Sequence, residues 1–208
     1  MEFKFFSLWL SLVCIVFFIL QLVIPSLTNA LVLNQSSFMQ PWRFITAIFL
    51  HGSLEHLVFN LFALILFGLI LEKLIGSNKF LAIFFLSGVL ANLIAVNFYS
   101  SSLGASGAIM GILGALTAIR PGMTVWAFNL PMPMFLAAIL WAISDILGIF
   151  YPQGVGNIAH LSGLATGLIL GFYFRFKHLK KQTLRAEYSR IILPEEYMQD
   201  WENRFMRR

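Results

Sequence analysis

Six apolar stretches fill most of this sequence, running roughly from Leu8 to Ile24, Leu54 to Leu71, Phe80 to Phe98, Ser106 to Ile119, Val125 to Phe150 and Ile158 to Phe174. A helix crosses the hydrocarbon of a bilayer with about 20 apolar residues. The 208 residues therefore hold six crossings with short connections and no second folded domain. With 59% hydrophobic and 11% charged residues, against roughly 25% charged in soluble domains, and a mean hydropathy of +0.84, the composition belongs to a bilayer. The predicted fold is all-α: a polytopic membrane protein with a six-helix bundle over residues 1–174 and a polar, basic tail over 175–208.

The fourth stretch, with the glycines of GASGAIMGILGAL, is weak by hydropathy alone. Glycine is common in membrane helices because it lets neighbouring backbones approach, and a short or central span fits it. The longest connection, about Pro25 to Ser53, contains WRFITAIFL, which is too short to cross and is expected to be partly embedded at the outer interface. The other connections carry the turn residues GSNK, YSSSLG, RPGM and YPQGVGN. Lys4 before the first apolar run resembles the start of a signal peptide, but the run is longer than a signal core and the span is expected to be retained. Cys14 stands alone and receives no role.

The net charge of +5 reports topology and not nucleic acid, since the basic residues are not interleaved with aromatics on a folded polar surface. With the amino terminus inside, Lys4, Lys73, Lys79, Arg120 and the nine basic residues from Arg175 to Arg208 are cytoplasmic, and only Arg43 of the fourteen is outside. Both termini of this cell-membrane protein are then cytoplasmic, while YSSSLG and YPQGVGN face outward. Trp42 and Arg43 are expected at the headgroups of the outer face, Glu55 and Glu72 at water or an interface, and the basic tail against anionic lipid.

Strongly polar residues inside spans are costly, so each is a functional candidate. On that topology the second, fourth and sixth spans run from outside to inside. His56 and Asn60 fall in the first turns of the second, Ser106 at the start of the fourth and His160 at the start of the sixth. At 1.5 Å per residue all four lie within about 10 Å of the beginnings of their helices. Gly107 and Gly111 on the fourth span, and Gly163, Gly167 and Gly171 on the sixth, form small-residue faces that allow close approach. A hydroxyl and an imidazole must come within about 2.6–3.2 Å for proton transfer. That pattern suits Ser106 as nucleophile and His160 as base. His56 and Asn60, at i and i+4, together with the unpaired Ser106 N–H, suit an oxyanion hole.

At these residues the sequence resembles the rhomboid family of intramembrane serine proteases. WRFITAIFLHGSLEHLVFN is similar to its first outer loop and second span, GASGAIMG to its Gly-x-Ser-Gly motif, and AHLSGLATG to its sixth-span Ala-His with following glycines. The resemblance runs from about Trp42 to Phe174, and the three motifs in order make it specific, whereas GxSG alone would be weak. It implies a Ser106–His160 dyad without a required third acid, an oxyanion hole of His56, Asn60 and the Ser106 amide, and a water-accessible cavity open to the outside. It also implies cleavage of transmembrane substrates near their outer ends. Some members carry an aromatic residue where this chain has Met110, which is read as variation because a thioether can also contact a ring.

Each residue also has a plainer reading. Ser106 could simply cap a helix, and the histidines and Asn60 could be interhelical hydrogen-bonding groups. Gly104 and Gly107 support the nucleophile, and His51 orders its loop. A metal site of His51, His56 and His160 is not favoured, because no acidic cluster accompanies it, and no cofactor is expected. Asp145 lies near the outer end of the fifth span, yet nothing in the sequence places it beside His160, so it is left out of the site. The alternatives are an inactive rhomboid-like binder of membrane helices and a solute transporter. The latter is disfavoured because transporter sites lie near the midplane. The expected partners are transmembrane proteins and the bilayer, with no nucleic acid; the sequence does not specify an oligomeric state.

Overall fold

The computed structural model describes residues 3–151, 154–191 and 195–206. Pro152 and Gln153 of the YPQGVGN connection lie outside them, as do the side chains of residues 177–196 and 198, with much of the basic tail, and Arg207 and Arg208. The chain divides into two units, Met1–Phe172 and Tyr173–Arg208.

Among the described residues, four helices are long and apolar enough to cross a membrane: α1 (Phe6–Val23), α4 (Leu54–Ile75), α5 (Ser77–Ala95) and the Asn157–Phe176 part of α8 (Asn157–Ile191). Two shorter apolar helices, α6 (Ser106–Ile119) and α7 (Met134–Phe150), stand between them. α6 is the most enclosed, with eleven of its fourteen residues buried. The connection after α1 folds as α2 (Pro25–Leu31), a 3-10 turn at Gln35–Phe38, α3 (Arg43–Thr46) and a second 3-10 turn at Ala47–Phe49. Its strand β1 (Leu33–Asn34) pairs antiparallel with β2 (Ser101–Ser102), the segment that leads into α6. In the second unit, α9 (Glu195–Phe205) exposes Tyr197, Trp201 and Phe205 on one stripe.

Three expectations need correction. The apolar run from Val125 is not helical at its start. Val125–Pro133 belongs to a hairpin of β3 (Thr124–Ala127) and β4 (Leu130–Pro133), and the helix begins at Met134. Pro131 and Pro133 lack the N–H groups a continuing helix needs. Phe128 and Asn129 supply the two positive φ values, 53° and 61°, of a tight hairpin turn. The Phe128 ring folds back to 6.2 Å from Trp141 of α7, which also meets Phe67 of α4.

Arg43 is buried and not at a headgroup. Its Nη1 donates to the carbonyls of Asn29 and Val32 and its Nε to Gln40 Oε1, so the guanidinium satisfies backbone acceptors inside the first connection. Trp42 beside it is exposed. Glu72 is also buried, with none of its surface exposed, while Glu55 is exposed. The Glu72 carboxylate accepts from the Phe6 N–H, the Ser7 N–H and hydroxyl, and the Ser77 hydroxyl. α1 begins at Phe6 without a side-chain cap of its own. A carboxylate from α4 therefore meets the free N–H groups and positive dipole end of that helix.

Candidate active site

Ser53 sets the position of α4. Its hydroxyl accepts from the His56 N–H, so the helix starts with His56 in its first turn and Asn60 one turn further on the same face. Asn60 is buried and donates from Nδ2 to the His56 carbonyl at 2.9 Å, using one of its two amide protons.

His51 sits just before that helix with 2% of its surface exposed. Its backbone is clamped by Gln21 of α1, which accepts from the His51 N–H and donates to the His51 carbonyl. The ring packs edge-on to His56 at 5.1 Å. Nδ1 lies 3.2 Å from the Phe49 carbonyl, which can only accept, so Nδ1 carries the proton; buried Nε2 has no partner among the described residues. Burial, and then the neighbouring His56, push the His51 pKa down to about 4.

Ser106 opens α6. The cap position is Ala105, and Ser106 is the first helical residue, making no capping bond. Among the described residues its hydroxyl and backbone N–H form no hydrogen bond. The preceding turn is held by a bond from the Gly104 N–H to the Ala47 carbonyl and by the β1–β2 pair. Gly104 has φ +123°, and a Cβ there would stand 2.8 Å from His56 Nε2 and 3.9 Å from Ser106 Oγ. Only glycine tolerates that backbone and that space. The His56 ring and the Ser106 hydroxyl therefore converge on the same small volume.

His160 lies in the first turn of α8, whose start is fixed by the Ile158 N–H donating to the Tyr99 hydroxyl. α6 and α8 meet backbone to backbone. A methyl group at Gly163 would overlap the Gly107 carbonyl, one at Gly167 the Gly111 carbonyl, and one at Gly171 would press on Ala115. Gly107 also faces the Ala159 carbonyl, so Ser106 and His160 occupy matching levels of two helices in direct contact. The two side chains are not hydrogen-bonded to each other; His160 and His56 are near enough to interact electrostatically.

The exclusion of Asp145 from the neighbourhood of His160 is wrong. Its Oδ1 lies 3.0 Å from His160 Nδ1, and the residue is buried. α7 and α8 are consecutive and antiparallel, so positions equally far from their connection lie side by side. Gly148 of α7 faces the Asn157 side chain at the start of α8. One turn inward from each are Asp145 and His160. An ionisable residue inside an apolar helix, together with that symmetry about the connection, was the signal available in the sequence. Gln21 gave no such signal, because its role depends on where α1 ends. Among the described residues, no three His, Cys, Asp or Glu side chains group as metal ligands would.

A layer of serine, histidine and asparagine near one end of a bundle of apolar helices defines a multi-pass membrane protein with a polar site inside its helical core. The rhomboid domain matches residues 39–177. Similar proteins include RHOMBOID-like protein 6, mitochondrial, of Arabidopsis thaliana, 37% identical over 64% of this chain and 43% of its own length. RHOMBOID-like protein 4 of the same plant is 33% identical over 63% and 33%. The Rhomboid protease GlpG of Yersinia pseudotuberculosis is 30% identical over 80% and 62%. The chain belongs to the rhomboid family. It spans a third to nearly two thirds of the length of these relatives.

Proposed function

We propose that this chain is an intramembrane serine endopeptidase that cleaves transmembrane-anchored proteins near the outer face of the membrane, with Ser106 as nucleophile and His160 as base. One observation carries the reading: the glycine contacts of α6 with α8, and of Gly104 with His56, bring a serine hydroxyl and two imidazoles from three distant helices to one level. The four long apolar helices and the two shorter ones are read as six crossings, with both termini cytoplasmic by the distribution of basic residues. The folded connection between α1 and α4 lies in part within the outer interface.

In the reaction, Ser106 Oγ attacks the scissile carbonyl as its proton passes to His160 Nε2. The oxygen that gains negative charge is met by the free Ser106 N–H, the His56 ring and the second amide proton of Asn60. His160 then gives the proton to the departing amine, and a water repeats the sequence on the acyl-enzyme. The Ser106 hydroxyl, unbonded in the free protein, comes into line with His160 when a substrate fills the site, as catalytic contacts often tighten only in the complex. Detergent-purified protein should cut a transmembrane substrate and react with a fluorophosphonate at Ser106. The variant Ser106→Ala should do neither while keeping its fold. Equal cleavage by both proteins would discard the assignment, and binding of membrane helices without cleavage would favour the inactive binder.

A further inference from the structure

Resting on the serine protease reading, we propose that Asp145 is a positioning residue: it holds His160 as the Nδ1–H tautomer with Nε2 free to take the Ser106 proton. The site then works as a Ser106–His160–Asp145 line and not as an unassisted pair. The contact is short, 3.0 Å from Nδ1 to Oδ1, and side-chain exposure is only 18% for His160 and 10% for Asp145. Among the described residues the Asp145 carboxylate has no other hydrogen-bond or ionic partner.

A carboxylate removed from water requires a donor, and here it faces one imidazole nitrogen. Because an ionised carboxylate only accepts, Nδ1 must carry the hydrogen, which leaves the lone pair on Nε2, across the ring. A neutral imidazole held the other way round would present an N–H toward the nucleophile and could not accept its proton.

The proton balance is complete without Asp145 ever being protonated. The Ser106 hydroxyl proton moves to Nε2 as the Oγ–carbon bond forms, and the ring becomes an imidazolium with both nitrogens protonated. That positive charge develops beside the Asp145 carboxylate, which stabilises it. As the peptide C–N bond breaks, the Nε2 proton leaves on the amine, and the Nδ1–H···Oδ1 bond persists throughout. An interhelical bond serving only to hold α7 against α8 would need neither charge nor tautomer.

The test compares wild type, Asp145→Ala and Asp145→Asn in detergent by kcat and KM on a transmembrane substrate and by the rate of fluorophosphonate labelling at Ser106. Asp145→Ala should lower kcat and the labelling rate together, by about 10- to 100-fold, with KM unchanged. Neutralising the corresponding carboxylate of a soluble triad, which costs about 10⁴-fold, sets the ceiling. Asp145→Asn should fall at least as far, since its amide can donate to Nδ1 and hold the ring as the Nε2–H tautomer, which cannot accept the Ser106 proton. Nitrogen NMR of histidine-labelled wild type should show His160 protonated at Nδ1, a reading that stands even if a variant fails to fold. An Nε2–H tautomer in the wild type, or wild-type kcat and labelling in a folded Asp145→Ala, overturns the proposal. If wild type itself is neither active nor labelled at Ser106, the protease reading fails first; normal labelling of both proteins sinks only the role of Asp145.

Discussion

The bundle carries a polar cluster at each end, buried at one and half-buried at the other, and the two are built on opposite terms. At one end, Glu72 accepts four hydrogen bonds from Phe6, Ser7 and Ser77, and among the described residues no buried side-chain nitrogen or oxygen there lacks a partner. At the other, His51 Nε2 is buried and unpartnered, and the hydroxyl and amide of Ser106 are unbonded. A fully satisfied network in a low-dielectric interior fixes helices relative to one another. Unsatisfied donors and acceptors cost stability, and in a native protein they persist where something else is to be bound. The first cluster reads as structure and the second as a site held open.

Substitutions can separate the two. Ser106→Ala should show the largest effect, a loss of about 10⁵- to 10⁶-fold in peptide cleavage with the thermal midpoint unmoved; a comparable loss of stability would erase the distinction. Glu72→Ala should do the reverse, leaving three donor groups of α1 and the Ser77 hydroxyl without their acceptor and lowering stability by about 2–4 kcal/mol in a micelle unfolding assay. The folded fraction should keep its fluorophosphonate reactivity.

Acid should weaken the site end through His51. Its folded pKa of about 4 is below the ordinary value near 6.5, so the neutral ring is the one favoured by folding. That contribution is full above about pH 6.5 and is lost as pH falls toward 4, by at most about 3 kcal/mol. Unfolding measured across that range should show the slope, and His51→Asn should flatten it. Gly104→Ala should cost about 1–2 kcal/mol from the positive φ alone and also displace His56, reducing cleavage about tenfold. The smallest effect is expected at the hairpin, where Trp126→Ala, 74% exposed, should change stability by less than about 0.5 kcal/mol; a larger effect would make the hairpin a third structural element of the bundle.

Much of this was legible in the residues. Long apolar runs bounded by turn residues mark α1, α4, α5, α6 and the start of α8 within a few positions, because hydrophobic length is a local property. The glycines at four-residue spacing on α6 and α8 announced a close approach, since only the absence of a side chain permits it. The hairpin within the apolar run from Val125 is not legible in hydropathy, which does not distinguish strand from helix; Pro131 and Pro133 are the local signal against a continuous helix there.

What the sequence determined by itself was therefore the set of apolar helices, their small faces and the residues worth watching: Ser106, His160, His56 and Asn60. What only the tertiary structure decided was pairing across distance. Asp145 sits on His160, Gln21 clamps His51, Arg43 turns inward onto loop carbonyls, and Glu72 caps a helix 66 residues away in the chain. The physical reason is the same in each case. A buried charge or amide must find a partner, but which partner depends on helix rotation and on where two helix ends meet, and neither is written in the spacing of residues along one segment.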